Sequence, residues 1–299
     1  MKVKPGERIL LLGGAGFVGR ALIVRLHAAG YRLRVTTRHP ERHRDLQVLP
    51  QLELWAGDIH DDTQLRAALA DCSGVVNLVG ILNESRRGDF GRVHEALPER
   101  CARLGAPRIV HISALGADPA AGSRYLASKG RGEVRLRAAA PAAIILRPSL
   151  IYGRHDHFIC RFRGLLRRLP VLLLPAPKAR LAPVAVTDVA AAIERVLADP
   201  HCDGQIYALC GLRSFSFIEL VRLIGGNPRR VWPLPAPFGA LLGRVGDLFS
   251  GRPFSSEQLR MLAAGSVCMG AEPGLESLHI TPADFETVLI ADLSGPDAC

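Results

Sequence analysis

The chain has 299 residues, of which 48% are apolar and 22% charged, a globular composition that excludes wholesale disorder. No stretch holds 18 uninterrupted apolar residues, so the sequence predicts no transmembrane helix. The net charge is +10, but no RNA-binding motif and no array of stacking aromatic residues accompanies it, so we expect no nucleic-acid partner.

Strands and helices alternate through the first half of the chain. Residues 8–14 form an apolar run that ends in glycine, as strands buried on both faces do, and residues 17–29 follow with helical spacing. The same patterns predict further strands at 32–38, 52–58, 74–80, 108–117 and 142–153, and further helices at 61–72 and 123–140. Between residues 80 and 108 we expect a helix that Pro98 kinks or begins. This alternation implies right-handed crossovers and a doubly wound parallel α/β sheet of the Rossmann type.

The second half has a looser pattern. It predicts a helix over 158–169, a short strand over 183–186, a helix over 188–198 capped by Thr187, and a strand over 205–211. Capping residues indicate three more helices, which start at Ser216 with Glu219, at Ser255 with Gln258, and at Thr281 with Asp284. We therefore predict a dinucleotide-binding core over 1–153, rejoined by the strand and helix at 183–198, and a small C-terminal α/β lobe over 154–299 for a substrate or partner.

The cysteines give no sign of a metal site or a disulfide framework. Seven of them are scattered along the chain, with no C-x-x-C pair. The apolar run near the N-terminus is too short for the core of a secretory signal. We therefore predict a cytoplasmic protein with reduced thiols. His155, Asp156 and His157 have no identifiable further ligand, so we predict no metal.

A glycine-rich loop follows the first predicted strand. Gly13, Gly14, Gly16 and Gly19 satisfy the G-x-G-x-x-G pattern between a buried strand and a helix, which is the context that dinucleotide binding requires. Gly13 would allow the tight turn, Gly16 the approach of a pyrophosphate, and Gly19 close packing of helix on strand. The alternative is a glycine-rich turn that binds nothing.

Two positions at strand ends bear on the choice of cofactor. Arg38 ends the second strand, where NAD sites usually carry an acid and an arginine suits the 2′-phosphate of NADP. The sequence thus favours NADP(H) over NAD(H), although Arg38 could be one more surface arginine. Asp58, at the end of the third strand, could accept a hydrogen bond from an adenine amino group or cap the helix at 61–72.

Tyr125 and Lys129 form a Y-x-x-x-K pair on a predicted helix. The spacing places both on one face, and an ammonium near a phenol would lower the phenol pKa towards neutrality. Ser113, at the end of the preceding strand, could hydrogen-bond a carbonyl or hydroxyl. Alone, the pair could be an ordinary exposed helix face, but the order glycine loop, serine, tyrosine, lysine makes it specific.

Seven stretches in this order resemble the short-chain dehydrogenase/reductase superfamily, in its extended or atypical branch with the NAD-dependent epimerase/dehydratases. They are GGAGFVG, AGDIHD, VVNLVG, HISALGA, SRYLASKGRGE, ILRPSLIYG and VAVTDVAAAI. Within that branch, VNLVGIL, ILRPSLIYG and the tail GLESLHITPADFETVL are most similar to the nucleotide-binding accessory subunit of complex I and its bacterial homologues.

The resemblance implies a role for each matching position. The pyrophosphate of a dinucleotide would be held by Gly13, Gly16, Phe17, Val18 and Gly19. Arg38 would hold its 2′-phosphate, and Asp58 and Ile59 its adenine. Val79 and Gly80 would lie along the cofactor, Lys129 would bind the nicotinamide ribose, and Pro148 and Ser149 would lie beside the nicotinamide. Tyr125 would be the general acid/base, with Ser113 as its partner.

Two hypotheses of function follow. The first is an NADP(H)-binding oxidoreductase that acts on an unknown carbonyl or alcohol. The sequence departs from sugar-modifying members, because Ala114-Leu115-Gly116 follow Ser113 and His94-Glu95 stand in place of an asparagine motif. The second is a nucleotide-stabilised accessory or assembly factor of a quinone-linked membrane complex, in peripheral contact with the inner face of the membrane, for which the apolar stretch 232–249 is the better candidate. The basic helix 158–169 could also lie on an anionic bilayer, but we expect its apolar face in the core and its arginines in solvent.

Overall fold

The fold is seen in a computed structural model that describes residues 2–154, 156–226, 230–235, 238 and 256–294. The strands are β1 Arg8–Leu12, β2 Arg32–Thr37, β3 Leu52–Ala56, β4 Gly74–Asn77, β5 Ile109–Ile112, β6 Ile144–Pro148, β7 Ile151–Tyr152, β8 Leu172–Leu174, β9 Arg180–Leu181, β10 Val184–Ala185, β11 Ile206–Leu209, β12 Phe215–Ser216 and β13 Val231–Pro233. Seven of them form one parallel sheet in the order β11-β6-β5-β4-β1-β2-β3. The prediction of a doubly wound parallel α/β fold is confirmed.

Helices cover both faces of this sheet. They are α1 Phe17–Ala28, α2 Asp62–Leu69, α3 Leu97–Arg103, α4 Arg124–Ala139, α5 His157–Arg168, α6 Val186–Ala198, α7 Phe217–Gly225, α8 Ser256–Ala263 and α9 Phe285–Ser294. A π-helical turn, Gly91–Ala96, leads directly into α3, and Pro98 stands in the first turn of α3. The chain is already helical before Pro98, since Phe90 and Ala96 have α-helical φ and ψ, so the proline lies where the π-helical turn passes into α3.

The continuous apolar run of β1 is explained by burial on both faces. Ile9 and Leu11 point into one hydrophobic cluster with α1 and α6, while Leu10 and Leu12 point into another with α2 and α3. Successive side chains of a strand alternate between faces, so a strand with no polar position needs a covered sheet on each side.

A third cluster lies outside the main sheet. It packs α5, α7 and α9 around three short strand pairs, β7 with β10, β9 with β12, and β8 with β13. Tyr152 and Phe285 lie edge to face at its centre, with ring centroids 4.7 Å apart. The second half also supplies β11 to the edge of the main sheet, beside β6, in addition to the predicted return at 183–198.

Helix starts are predicted correctly at one position and wrongly at two. Ser216 and Glu219 form the expected capping box of α7. However, α6 begins at Val186 after Ala185, and the expected cap Thr187 lies inside its first turn. Asp284, rather than Thr281, accepts the Thr287 N–H at the start of α9. Ser255 lies outside the described residues.

The prediction that all cysteines are reduced is wrong. Cys210 and Cys268 form a disulfide with a Cα–Cα distance of 6.1 Å, and Cys160 is also disulfide-bonded. Cys72, Cys101 and Cys202 are free. The chain between Cys210 and Cys268 returns from the third cluster to the end of β11, and spacing along the sequence contains no information about such a return.

Within the described residues, none of the helices is both long and apolar enough to cross a bilayer. The stretch 232–249, singled out for membrane or partner contact, lies mostly outside those residues.

Candidate functional site

The glycine loop forms a cradle at the carboxyl end of β1. Gly13 has a φ of +76°, and its carbonyl accepts a hydrogen bond from the Gly16 N–H at 3.1 Å. A Cβ on Gly19 would lie 2.2 Å from the Gly14 carbonyl oxygen, so helix α1 can pack here only without a side chain. Phe17 and Val18 begin α1, whose first turn holds no acidic residue. The free N–H groups and positive end of this helix suit an anion such as a pyrophosphate.

Arg38 is exposed just beyond β2, the strand next to β1. The nearest acid in the sequence, Glu41, is engaged by His39, with Nδ1 and Oε1 3.2 Å apart. Among the described residues no ion pair or hydrogen bond involves the Arg38 side chain. The cation is therefore placed to meet a phosphate at the same sheet edge as the glycine loop.

Asp58 does not cap helix α2. That cap is Asp61, whose carboxylate accepts the Gln64 N–H at 2.8 Å. The Asp58 carboxylate accepts the His60 N–H at 2.9 Å, and the Asp58 N–H donates to the Gln64 side chain, so the turn that precedes α2 is held in one conformation. Ile59 is half-buried beside it.

The loop after β4 lies between the glycine cradle and helix α4. A Cβ on Gly13 would meet the Val79 nitrogen at 3.3 Å, and one on Gly80 would meet the Lys129 Nζ at 3.4 Å. Asn77 Oδ1 accepts the Val79 N–H at 3.1 Å and fixes the start of this loop. The fold thus brings three sets of predicted positions to one edge of the sheet: those for the pyrophosphate, those along the cofactor at Val79 and Gly80, and those for catalysis.

Lys129 is buried, and its ammonium donates to the Ile112 carbonyl at 3.0 Å, one residue before Ser113. Burial lowers the pKa of Lys129 to about 8, against a smaller opposite effect of Glu133. The Ser113 hydroxyl is buried and has no hydrogen-bond partner among the described residues. Because buried hydroxyls are nearly always paired, this oxygen is suited to a group on a bound molecule.

The expected effect of Lys129 on Tyr125 is wrong for this structure. Burial raises the pKa of the half-buried Tyr125 to about 12. The Lys129 ammonium is directed at the Ile112 carbonyl, so burial alone sets the direction of the shift. Tyr125 is therefore a protonated phenol at neutral pH.

His94 is the residue that the sequence reasoning did not use. Its Nδ1 lies 2.8 Å from the Ser128 Oγ, and its Nε2 accepts the Ile81 N–H at 3.1 Å. Ser128 donates its own proton to the Tyr125 carbonyl, so the His94 Nδ1 must carry the proton that completes this pair. The ring also stacks on Phe90 and meets the Tyr125 ring edge to face at 5.4 Å.

His94 therefore joins the loop after β4 to helix α4 as a neutral imidazole. Burial and the nearby Lys129 charge lower its pKa to about 3. The signal in the sequence was a histidine in place of the usual asparagine motif, and the π-helical turn that presents it is a common local distortion near functional sites.

Pro148 and Ser149 end strand β6. The Pro148 carbonyl accepts the Leu115 N–H at 3.0 Å, and the Ser149 hydroxyl donates to the Ser266 carbonyl at 2.7 Å. These contacts place the end of β6 between the segment after Ser113 and the C-terminal part of the chain. The Ser149 hydroxyl proton is thus already used in a hydrogen bond within the protein.

A cavity of about 570 Å³ opens elsewhere, in the second lobe. Its lining includes Arg180, Arg213, Arg222, Glu219 and Glu286. It shares no residue with the predicted cofactor positions, and its cations are largely used within the protein, with Arg213 paired to Glu286 and Arg180 donating to Ser214. Among the described residues no cluster of histidine, cysteine, aspartate or glutamate could hold a metal ion.

Residues 13–200 match a family described as NAD(P)H-binding. The mouse mitochondrial NADH dehydrogenase (ubiquinone) 1 alpha subcomplex subunit 9 is 31% identical over 92% of this chain and 77% of its own length. The ceramide reductase of Caulobacter vibrioides is 30% identical over 81% of this chain and 78% of its own length.

Two solved structures show the same fold. The NADPH-dependent quinone oxidoreductase QOR2 of Escherichia coli superposes with a TM-score of 0.73 and 17% identity, covering 95% of this chain and 99% of its own. A dTDP-glucose 4,6-dehydratase, DesIV, of Streptomyces venezuelae gives a TM-score of 0.70 and 21% identity, covering 97% of each chain.

Proposed function

Because the chain belongs to the NAD(P)H-binding family, with an epimerase/dehydratase-like short-chain dehydrogenase/reductase fold, we propose that it is an NADP(H)-dependent oxidoreductase acting on a carbonyl or alcohol. The observation that carries this proposal is the buried Ser113 hydroxyl, which has no partner among the described residues. The Lys129 ammonium donates to the carbonyl of the preceding residue, Ile112, and Lys129 lies one helical turn from Tyr125 on α4.

The residues present fit a dinucleotide. The cradle presents the N-terminal N–H groups of α1 and, at Gly13 and Gly16, no Cβ, and the Val79–Gly80 loop continues from it to Lys129. When bound, the nicotinamide would supply or accept the hydride. Lys129, protonated below its pKa of about 8, would hold the ribose hydroxyls as a hydrogen-bond donor.

In the reducing direction, Ser113 would donate a hydrogen bond to the substrate carbonyl oxygen and orient it. Tyr125 would then give its phenolic proton to the oxygen that becomes the alcohol. The pKa of about 12 keeps the phenol protonated until charge develops on that oxygen.

The test of this proposal uses NADPH fluorescence and turnover with a panel of aldehydes and ketones. Tyr125→Phe keeps the ring contacts with His94 and Phe90 but removes the proton. We expect kcat to fall about 10²- to 10⁴-fold, the usual contribution of a positioned acid, with NADPH affinity unchanged. Unchanged turnover by Tyr125→Phe would refute the mechanism.

A second candidate function is that of a nucleotide-stabilised accessory or assembly factor of a quinone-linked membrane complex; the mouse relative is by its name a subunit of NADH dehydrogenase (ubiquinone). The observation that favours it is an exposed apolar patch on the β8–β13 ribbon, which we call the ribbon patch. Leu173 and Trp232 are register partners there, exposed by 51% and 59%, and Leu169 and Val171 extend the surface.

The ribbon patch lies next to a basic helix. Arg161, Arg167 and Arg168 of α5 are exposed, and residues 154–180 carry a net charge of +6. Apolar side chains, including a tryptophan, beside arginines are typical of proteins that lie on anionic bilayers. This function does not require that Tyr125 turn over a substrate.

A further inference from the structure

The chain from residue 256 to residue 274, which we call the strap, begins with helix α8 and runs along the carboxyl edge of the main sheet to the end of β11. Side chains or backbone of the strap contact the start of α4 and the ends of β6 and β11. These are the same elements that carry Tyr125 and Ser149.

The far end of the strap is firmly held. Cys268 is bonded to Cys210, and Glu272 pairs with Arg147 of β6. In the middle, Ser266 donates its N–H to the Arg180 carbonyl at 2.8 Å, and its own carbonyl accepts from Ala182 at 2.8 Å and from Ser149 at 2.7 Å.

At the near end of the strap, the Glu257 side chain bonds to the start of α4. A single carboxylate oxygen of Glu257 accepts the Ser123 hydroxyl at 2.6 Å and the Tyr125 N–H at 2.9 Å. None of the eight residues of α8 is fully buried, although Leu262 packs against the third cluster. The Glu257 side chain itself is only 17% exposed.

These two bonds act on the first turn of α4. The first N–H groups of a helix have no partner within the helix, and the Tyr125 N–H is one of them. Ser123 is the cap of this helix, accepting the Leu126 N–H, and Glu257 fixes the Ser123 hydroxyl that does so. A carboxylate at the positive end of a helix also interacts favourably with its dipole.

We propose that Glu257 is a positioning residue that latches the strap onto the catalytic helix, fixing Tyr125 relative to Ser113 and limiting exchange of molecules at that edge. Part of this inference rests on the proposed function, since the exchanging molecule is the nucleotide. The contact of Glu257 with the start of α4 does not depend on the proposed function.

The first experiment needs no ligand. Hydrogen exchange of the backbone amides in the first turn of α4 is compared in the wild type, Glu257→Ala and Glu257→Gln. We expect Ala to speed exchange of the Tyr125 amide about tenfold, because its acceptor is gone, and Gln to retain most of the protection through its amide oxygen. Glu286→Gln is the control. It breaks the ion pair between Glu286 of α9 and Arg213, and it should leave amide exchange in the first turn of α4 unchanged.

The second experiment measures NADPH release by stopped-flow fluorescence in the same four proteins. We expect release to be several-fold faster in Glu257→Ala than in wild type and in Glu286→Gln. A merely structural contact would lower stability and leave the release rate unchanged, so this rate separates positioning from packing.

The two experiments fail in different ways. If the wild type binds no NADPH, the proposed function fails, and the exchange data still decide the latch. If a folded Glu257→Ala shows wild-type exchange in the first turn of α4, the latch is wrong whatever the nucleotide does. If exchange rises but NADPH release is unchanged, Glu257 holds the helix without limiting access, and the second half of the proposal is overturned.

Discussion

At the scale of single residues, burial decides what each candidate group can do. Lys129, His94 and Tyr125 lie close together, and loss of solvation favours the neutral form of each. It lowers the pKa of Lys129 to about 8 and that of His94 to about 3, and it raises the pKa of Tyr125 to about 12. A sequence motif supplies the residue types and their spacing. It does not show which neighbour the Lys129 ammonium faces, and that contact, with the Ile112 carbonyl, is why the expected lowering of the Tyr125 pKa is absent.

Lys129 gives the first prediction. Below pH 8 both the folded and unfolded chains carry the proton, so folding bears the full cost of burying an ammonium; between about pH 8 and 10.5 the unfolded chain binds more protons, and stability rises with pH. Lys129→Met removes this cost. We expect it to raise the free energy of unfolding at pH 7 by about 2 kcal/mol, after allowance for the lost hydrogen bond, and to weaken nucleotide binding.

Urea unfolding of both proteins at pH 7 and pH 10 checks this. The gain should shrink at pH 10, where much of the wild-type lysine is neutral in the folded protein. A Lys129→Met protein that is less stable than wild type at pH 7 would contradict the assignment of burial as the dominant effect.

Arg38 gives the second prediction. Removal of a charged contact to a phosphate costs about 1.5–3 kcal/mol, so Arg38→Gln should weaken NADPH binding about 10- to 100-fold and leave NADH affinity nearly unchanged. Arg137→Gln, an exposed change near the end of α4, is the matched control for net charge. Equal losses for both nucleotides would show that Arg38 does not recognise the 2′-phosphate.

At the scale of elements, local signals and long-range contacts differ in how far a sequence specifies them. The capping box of α7 involves two residues three apart and is predicted correctly. The place of β11 beside β6, and the contact of α8 with α4, join segments that are 60 or more residues apart. Periodicity and capping residues are local signals and do not predict such pairings, because the pairings depend on how whole faces of helices and sheet pack together.

The disulfide is the third prediction, at this scale. In the chain-entropy account, closing the loop between Cys210 and Cys268 stabilises the fold by about 4 kcal/mol. The double variant Cys210→Ala with Cys268→Ala should therefore unfold at clearly lower denaturant concentration. Cys72→Ala, at a free thiol, is the control. Equal midpoints for the double variant and the wild type would mean that the bond does not constrain the unfolded chain.

At the scale of the whole molecule, two surfaces compete to explain the second half of the chain. One is the strap beside the cofactor edge, which an enzyme would use. The other is the ribbon patch with the arginines of α5, which a peripheral membrane protein would use. The two are compatible in one molecule, and they are tested separately.

The ribbon patch gives the fourth prediction. The protein should sediment with vesicles that contain anionic lipid, and less at high salt, because screening weakens the arginine contribution. Leu173→Ser with Trp232→Ser should reduce binding about tenfold or more, by removing apolar side chains from the interface. Leu212→Ser, 61% exposed outside the patch, is the control. No binding to anionic vesicles by the wild type would remove the support for this second function.

The sequence by itself determined the parallel sheet and the dinucleotide loop. The run Ile9–Leu12 and the glycines that follow it leave few alternatives, since an all-apolar strand must be covered on both faces and Gly19 admits no side chain against Gly14. Only the tertiary structure decided the pairing of Cys210 with Cys268, the neutral His94 bridge and the reach of Glu257 to Tyr125. The physical reason is the same in each case: these contacts join segments distant along the chain, and burial sets the protonation of the groups that they enclose.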